Sequence, residues 1–124
     1  MPIELIVTDL DGTVLDEENR IPAPVSHAFR QARAKGVPAI IATGRTLIEA
    51  VEAQVAIGAE EYSITMNGAF VYDHINQLPL SHALIPRQTV LTIIRLLESF
   101  DDVFFHAYGN NQPLNQVANV SVAG

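Results

Sequence analysis

Residues 3–13 read Ile3-Glu-Leu-Ile-Val-Thr-Asp-Leu-Asp-Gly-Thr13, and this stretch decides the fold. Its apolar run, Leu5-Ile-Val7, is typical of a buried strand in a parallel sheet. Two carboxylates, Asp9 and Asp11, follow one residue apart, and Gly12 allows a sharp turn. Ligands of an open parallel α/β sheet bind just beyond the carboxyl ends of its strands. Since two acids at that place repel each other and resist burial, we expect a cation or a proton beside them.

A strand followed by an Asp-Gly turn accounts for Asp11 and Gly12, but it leaves Asp9 unexplained. At these residues the chain resembles the haloacid dehalogenase (HAD) superfamily, because Asp9-Leu-Asp-Gly-Thr13 matches the first motif of its phosphatase branch. The resemblance implies that Asp9 is a nucleophile that forms an aspartyl-phosphate, and that Asp11 protonates the leaving oxygen and then activates water. It also implies Mg2+ held by the Asp9 carboxylate and the main-chain carbonyl of Asp11. A hard cation suits this chemistry, since a carboxylate attacks a phosphate dianion only when charge is screened.

Size and composition limit the alternatives. The chain has 124 residues, which is enough for one domain with a core, and its formal net charge is -7. This charge argues against nucleic acid or an anionic membrane surface as the main partner. The lack of cysteine excludes disulfides and thiolate zinc sites. The first residues lack a basic n-region and a long apolar run, so we expect a cytoplasmic protein without a membrane span.

The remaining periodicity predicts alternating strands and helices. We expect helices over 24–35, 46–57 and 86–100, strands over 37–43, 62–66 and 103–108, and a hairpin formed by 70–72 and 78–80. Between the first strand and the first helix, residues 14–22 predict a loop or small flap, with Asp16, Glu17 and Glu18 on its solvated surface. A second metal site at these acids is the less favoured interpretation.

A second group of candidate residues follows the next predicted strand. Thr43-Gly-Arg45 precedes a helix whose start carries a capping box, Thr46-x-x-Glu49. A hydroxyl and the N–H groups of a helix start are suited to bind an anion. Thr43 alone could be a polar strand end, but beside Asp9 and Asp11 we interpret it as a phosphate ligand. The second HAD motif is a Thr or Ser here, and the Thr-Gly-Arg sequence is similar to Cof-type sugar phosphatases.

Asn67-Gly-Ala69 follows the third predicted strand and has two interpretations. Asn-Gly is first of all a turn signal. The same residues match the Asn-Gly-Ala that borders the active site in Cof-type phosphatases, which makes Asn67 a candidate substrate contact. His74 and His82 are expected on the surface, since their spacing fits no metal motif. The candidate phosphate- or substrate-binding residues are Gly12, Thr43, Gly44, Arg45 and Asn67.

The fold class predicted is α/β: a partial Rossmann-like HAD core with a parallel sheet, followed by the beginning of an α+β cap domain. We place the core at residues 1–83 and the cap-like segment at 84–124. In the family a cap follows the third core strand, and 84–108 look like its first helix and strand. Residues 109–124 match no pattern, and we expect either an unordered tail or a segment that folds against a partner.

The resemblance covers only the front half of the family pattern. The third motif needs a lysine at the phosphate, but the single lysine, Lys35, follows the first helix at the opposite edge of the sheet. The fourth motif needs further acids, and Asp101 and Asp102 lie at the wrong end of a strand. Arg45 and Arg87 are possible substitute cations. Because one lost electrostatic group typically lowers the rate by about a hundredfold to a thousandfold, we expect a truncated phosphatase.

Three functions are compatible with these residues. The first is a Mg2+-dependent phosphatase acting on a small phosphorylated metabolite, and the second is an inactive fragment that binds phosphate or Mg2+ weakly or only assembles. The third, a phospho-acceptor receiver domain, is less favoured because the later strands offer no acceptor aspartate. In the family the first strand is central, so without later strands its apolar edge is open. We therefore expect self-association through the exposed edge of the first strand.

Overall fold

The computed structural model describes residues 2–102, 105–108 and 117–120. Its helices are α1 (Ala23–Ala34), α2 (Leu47–Ile57) and α3 (Arg87–Leu97). Its strands are β1 (Ile6–Thr8), β2 (Ala39–Ala42), β3 (Tyr62–Thr65), β4 (Phe70–Asp73), β5 (Leu78–His82), β6 (Phe105–Tyr108) and β7 (Val117–Val120). The chain divides into two compact units, Met1–Ala83 and Leu84–Gly124. The predicted α/β class is confirmed.

The sheet of the first unit has the strand order β1-β2-β3-β4-β5. Strands β1, β2 and β3 are parallel, with Thr8 paired to Ile41 and Ile41 paired to Ser63. Strands β4 and β5 form the predicted hairpin and extend the sheet in antiparallel fashion. Because β1, β2 and β3 run in one direction, the residues that follow them emerge at the same edge of the sheet.

Helix α2 shows how local sequence sets its boundaries. Thr46 is the N-cap, and its side-chain oxygen accepts the N–H of Glu49, while the Glu49 carboxylate accepts the N–H of Thr46. Gly58 ends the helix in the left-handed conformation, with φ 70°, which a residue without a Cβ adopts at low cost. Ala50, Ala53 and other residues of one face are buried against the sheet, and both predicted helix ends are confirmed.

The core lies between the sheet and the two helices of the first unit. Leu10, Ile41 and Ile57 are almost fully buried there, and Phe29 of α1 packs against them. Leu10 is notable because it stands between the two aspartates of the first motif. Burial of a leucine side chain typically contributes about 2 kcal/mol, so Leu10 anchors the turn that carries both carboxylates.

Strand β1 lies at an edge of the sheet, as the sequence predicts for this stretch of chain. Leu5 and Val7 remain 47% and 55% exposed, which is unusual for apolar residues of a parallel sheet. The opposite edge is β5, where Pro79 stands within the strand. A proline lacks the N–H that a further strand would need, so the two edges differ in their capacity to pair.

The second unit contains α3 and a two-stranded antiparallel sheet. Strand β6 confirms the predicted strand over its last four residues, and Val103 and Phe104 lie outside the described residues. Strand β7 pairs with β6, with Val117 opposite Tyr108. The expectation of an unordered tail is therefore wrong for Val117–Val120, because these residues complete a hairpin. The rest of that segment, residues 109–116 and 121–124, lies outside the described residues.

Candidate active site

The turn after β1 presents two carboxylates on either side of a buried anchor. Thr8 and Leu10 point inward and are buried, whereas Asp9 and Asp11 are exposed. One oxygen of Asp9 accepts the N–H of Leu10 at 2.7 Å, which fixes the orientation of the carboxylate. The carbonyl of Leu10 accepts the N–H groups of Thr13 and the two residues after it, so the chain turns sharply. Alternation of burial thus places both carboxylates at the surface of the strand end.

A cleft of about 420 Å³ opens beside Asp9 at the carboxyl ends of β1, β2 and β3. This volume lies within the range of small-molecule sites, about 300–1,000 Å³. The cleft is lined by Asp9, Ala42, Thr43, Gly44, Ile64, Asn67 and Gly68. Four of the seven candidate site residues therefore meet around one space. Asp11, Gly12 and Arg45 are not among its lining residues.

Thr43 lies at the end of β2 and is only 4% exposed. Its hydroxyl oxygen accepts the N–H of Arg45 at 3.1 Å, a local turn that holds the side chain at the cleft. Within the described part of the chain, this hydroxyl donates to no acceptor, so its hydrogen is available to an anion in the cleft. Thr43 and Asp9 thus present a hydroxyl donor and a carboxylate to the same space.

Asn67 reaches the cleft through an unusual backbone. Met66 and Asn67 have φ 52° and 55°, two consecutive non-glycine residues in the left-handed region. Such conformations cost roughly 1–3 kcal/mol and concentrate at functional sites. The N–H of Asn67 donates to the carbonyl of Thr43, and a Cβ built on Gly44 would lie 2.9 Å from the side-chain oxygen of Asn67. Gly44 is therefore needed for the close approach of Asn67, a role that the sequence alone did not reveal.

Asp11 is turned toward Arg45 and away from the lining of the cleft. Arg45 donates its Nε–H to one oxygen of Asp11 at 2.8 Å and an Nη2–H to the other at 2.6 Å. Such bidentate pairs are the stronger and more directional kind of ion pair. The hydrogen bond from Arg45 lowers the pKa of the Asp11 carboxyl, although the side chain is 56% exposed, so solvent screens much of the effect. In this arrangement Asp11 is held in its ionised form.

The start of helix α2 carries the capping box that the sequence predicts. The N–H groups of Thr46 and Glu49 are occupied within the capping box, and the Glu49 carboxylate already lies at the helix start. An acidic side chain at this position interacts favourably with the positive end of the helix dipole. The capping box that the sequence predicts therefore occupies these two N–H groups, and the anion site at this helix start stays a prediction.

The acidic residues at the end of β1 offer a small number of oxygen atoms that are suited to bind Mg2+. Mg2+ is commonly held by one or two carboxylates, several waters and phosphate oxygens. The second oxygen of Asp9 and the main chain of Asp11 are of the right chemistry. Among the described residues, no group of three or more His, Cys, Asp or Glu side chains is arranged to hold a metal ion. The residues therefore fit a metal site that relies on water and phosphate for most of its ligands.

The other charged candidates lie elsewhere. Lys35 is the C-cap of α1 and precedes the start of β2, so it is at the opposite edge of the sheet from Asp9, as predicted. Asp101 and Asp102 are exposed and follow α3, within the second unit. Gly12 has φ 71° and serves the turn after the motif, with no atom within 4 Å of a Cβ built on it.

Two histidines and one asparagine complete the comparison with the sequence. His82 is exposed, as predicted. His74 is half-buried, and its Nε2 lies 2.7 Å from the hydroxyl of Ser63, so its expected surface position is wrong. Asn19, which sequence reasoning did not single out, accepts an Nη2–H of Arg45 at 3.0 Å. An asparagine in a short polar turn gives little indication of a functional role in the sequence, and only the fold brings Asn19 close to Arg45.

Several known proteins are similar to this chain in sequence and in fold. A sequence profile of haloacid dehalogenase-like hydrolases matches residues 6–119. Phosphatase YwpJ of Bacillus subtilis (strain 168) is 30% identical over 97 residues, or 78% of this chain and 34% of that protein. The 5-amino-6-(5-phospho-D-ribitylamino)uracil phosphatase YcsE of the same organism is 39% identical over 71 residues, or 57% of this chain and 28% of YcsE. The solved structure of a HAD subclass IIB sugar phosphatase aligns with a TM-score of 0.64 and 30% identity, covering 77% of this chain and 37% of that one.

The chain belongs to the haloacid dehalogenase-like hydrolases. Its relatives include phosphatases, and its structural neighbours include a HAD/Cof-like hydrolase from Plasmodium vivax, so the predicted resemblance is confirmed. The chain spans about a third of the length of the relatives that it matches. In the described part of the chain, no helix combines the length and the apolar character needed to cross a bilayer.

Proposed function

We propose that the site serves a Mg2+-dependent phosphomonoesterase that works through an aspartyl-phosphate on Asp9. The observation that carries this proposal is the cleft shared by Asp9 and Thr43, which pairs a carboxylate nucleophile with a hydroxyl donor. The family supports the reaction type, since haloacid dehalogenase-like hydrolases include the phosphatases described above.

In the first half of the reaction, an oxygen of Asp9 attacks phosphorus and the bond from phosphorus to the leaving oxygen breaks. The leaving oxygen takes a proton from Asp11. In the second half, water attacks the phosphoryl group on Asp9 and gives its proton to Asp11, which releases phosphate and restores the Asp9 carboxylate. Mg2+ held by Asp9 and the main chain of Asp11 would screen the negative charge between carboxylate and phosphate.

Three protein groups prepare these steps. The hydrogen bond from Leu10 aims the Asp9 carboxylate, and the free hydroxyl hydrogen of Thr43 binds a phosphate oxygen. Arg45 keeps Asp11 ionised, which is the state that accepts the proton of water in the second half. For the first half Asp11 has to carry a proton, so Arg45 must loosen its contact when substrate binds.

The proposed substrates are small phosphorylated metabolites. A cleft of about 420 Å³ holds a phosphate and a compact organic group. YcsE acts, by its name, on a phosphorylated ribityl compound, and the subclass IIB structure is that of a sugar phosphatase. These proteins support a polyhydroxylated organic phosphate as the substrate class.

Release of phosphate from an aryl phosphate, with and without Mg2+, tests the reaction. We expect release that requires Mg2+, that Asp9→Asn abolishes and that Glu17→Gln, an exposed acid of the next loop, leaves unchanged. Trapping of a radiolabelled phosphoryl group on the protein, lost in Asp9→Asn, identifies the nucleophile. Release that persists in Asp9→Asn contradicts the proposed role of this residue.

A second candidate is binding of phosphate or Mg2+ without turnover. Two observations favour it: Lys35 lies at the far edge of the sheet, and Arg45 is engaged by Asp11 and Asn19. Calorimetric titration with Mg2+ and inorganic phosphate separates the candidates. Saturable binding that Thr43→Val weakens, together with no phosphate release, supports this second function, whereas Mg2+-dependent release supports the first.

We also propose that the chain self-associates through β1. Because the N–H of Ile6 bonds to the carbonyl of Pro38, the residue just before β2, the alternation of a parallel strand directs the main-chain groups of Val7 to the open side. Val7 is also more than half exposed, so an approaching strand finds both unpaired main-chain groups and apolar surface.

Sedimentation velocity at micromolar concentration tests the proposed assembly. We expect a dimer or larger species that Val7→Lys dissociates, because a charged side chain on an edge strand opposes pairing. Leu80→Lys on β5 is the matched control, since Leu80 is equally exposed on the opposite edge. A wild-type monomer, or equal effects of the two variants, argues against pairing through β1.

A further inference from the structure

The segment Asp16–Arg20 forms a tight turn next to the candidate site. One carboxylate oxygen of Asp16 accepts the N–H groups of Glu18 at 3.0 Å and Arg20 at 2.8 Å. The N–H of Asp16 donates to the carbonyl of Arg20, and the N–H of Asn19 donates to the carbonyl of Asp16. The acidic residue that the sequence assigns to solvated surface therefore organises this turn from within.

This turn places Asn19 in the left-handed conformation, with φ 59°. Asparagine tolerates this conformation better than most residues do. Its side-chain oxygen accepts an Nη2–H of Arg45 at 3.0 Å, across 26 positions of sequence. Arg45 at the same time donates to both oxygens of Asp11. One guanidinium thus joins the first-motif turn, the loop before α1 and the segment after β2.

The second acceptor matters because an exposed ion pair is weak on its own. The Asp11 side chain is 56% exposed, so solvent screens much of its attraction to Arg45. A guanidinium that is bound by a single carboxylate can still rotate about the bonds of the arginine side chain. When Asn19 accepts another of its N–H groups, the plane of the guanidinium is set from a second direction.

We propose that Asn19 is a positioning residue that acts through Arg45 to hold Asp11 in one orientation. Neither the family match nor the proposed reaction assigns Asn19 a role, and the functional half of this inference rests on the proposed function. The orientation of the ionised Asp11 decides how well it takes the proton of water in the second half of the proposed reaction, and losing one typical hydrogen bond lowers such a rate by about fivefold.

Three variants distinguish the effect of the side-chain acceptor of Asn19 from the effect of its left-handed backbone conformation. Asn19→Gly keeps the left-handed conformation and removes the acceptor, whereas Asn19→Asp keeps an acceptor and also tolerates that conformation. Gln77→Gly is the matched control, because Gln77 has φ 56° in the turn between β4 and β5 and lies outside the candidate site. Arg45→Lys identifies the NMR signal of Arg45, which this variant removes.

The structural readout is the Nε–H signal of Arg45 in proton–nitrogen correlation spectra of the full chain. We expect a slowly exchanging signal in the wild type, loss or broadening in Asn19→Gly, and retention in Asn19→Asp and Gln77→Gly. A signal that survives in Asn19→Gly overturns the proposal. So does loss in both variants of Asn19, or loss in Gln77→Gly, because the effect then does not follow from the acceptor.

The functional readout is the separation of kcat from KM in Mg2+-dependent hydrolysis of an aryl phosphate. We expect Asn19→Gly to lower kcat about fivefold with KM nearly unchanged, and Asn19→Asp to restore it. A purely structural role would lower the apparent kcat only in proportion to the folded fraction, so kcat is expressed per folded molecule, with that fraction measured by circular dichroism. A kcat per folded molecule equal to that of the wild type overturns the functional part of the proposal. If the wild-type chain releases no phosphate, the proposed function fails, while the Arg45 signal still decides whether Asn19 positions this residue.

Discussion

Gly44→Ala separates the stability of the fold from the geometry of the cleft. The added Cβ would lie 2.9 Å from the side-chain oxygen of Asn67, where ordinary contact begins at 3.4 Å, so the amide has to move by about 0.5 Å. The other two near atoms, both of the same side chain, are at 3.5 Å and need no movement. Only the exposed end of Asn67 is displaced, and the backbone of Gly44 is not in the left-handed region.

The energy terms of this substitution nearly cancel. Moving the Asn67 side chain off its preferred rotamer costs about 0.5–1.5 kcal/mol. Replacing glycine by alanine at a compatible position stabilises by about 0.4–1 kcal/mol, because the unfolded chain loses freedom. We therefore expect the free energy of unfolding to change by less than about 1 kcal/mol, while the Asn67 amide leaves its place at the cleft.

Urea denaturation and the side-chain amide signals of Asn67 measure the two effects separately. The matched control is Gly36→Ala, where φ is 82° and no atom lies within 4 Å of the added Cβ. This control should lose about 1 kcal/mol through backbone strain and leave the Asn67 signals unchanged. A loss above about 2 kcal/mol in Gly44→Ala, or unchanged Asn67 signals in that variant, would refute the reasoning.

Three further predictions concern stability. Burial lowers the pKa of His74 below its ordinary 6.5, so as the pH falls this group is protonated in the unfolded chain before it is protonated in the folded chain. The free energy of unfolding should therefore keep its full value above pH 6.5 and decrease as the pH falls below 6.5. Chemical unfolding across this range should show the slope in the wild type and in His27→Gln, an exposed control, but not in His74→Gln. Thr46→Ala should lower the free energy of unfolding in urea by about 1 kcal/mol by removing the capping box with Glu49, and Thr46→Ser should restore it. Asp73→Ala should lower it by about 2–3 kcal/mol, because this carboxylate is 3% exposed and accepts three hydrogen bonds; a loss below about 0.5 kcal/mol contradicts this account.

The sequence by itself determined the elements and the edge of the sheet where the candidate site lies. The capping box of Thr46 and Glu49 and the glycine at position 58 mark both ends of α2, and the structure places both ends there. These signals are readable because capping acts within three or four residues. Alternation of strand and helix predicts parallel strands, and parallel strands bring Asp9 and Thr43 to one cleft.

Only the tertiary structure decided which hydrogen-bond partners the side chains around these two residues have. Asp11 binds Arg45 across 34 positions, and Arg45 binds Asn19 across 26. Likewise, Gly44 has no Cβ and so leaves room for the side chain of Asn67, which follows the neighbouring strand β3. Propensity and motif spacing carry no information about such contacts, because they depend on strand register and on rotamers that packing selects. For this reason the candidate residues around the cleft could be predicted from the sequence, whereas the hydrogen-bond partners of Asp11 could not.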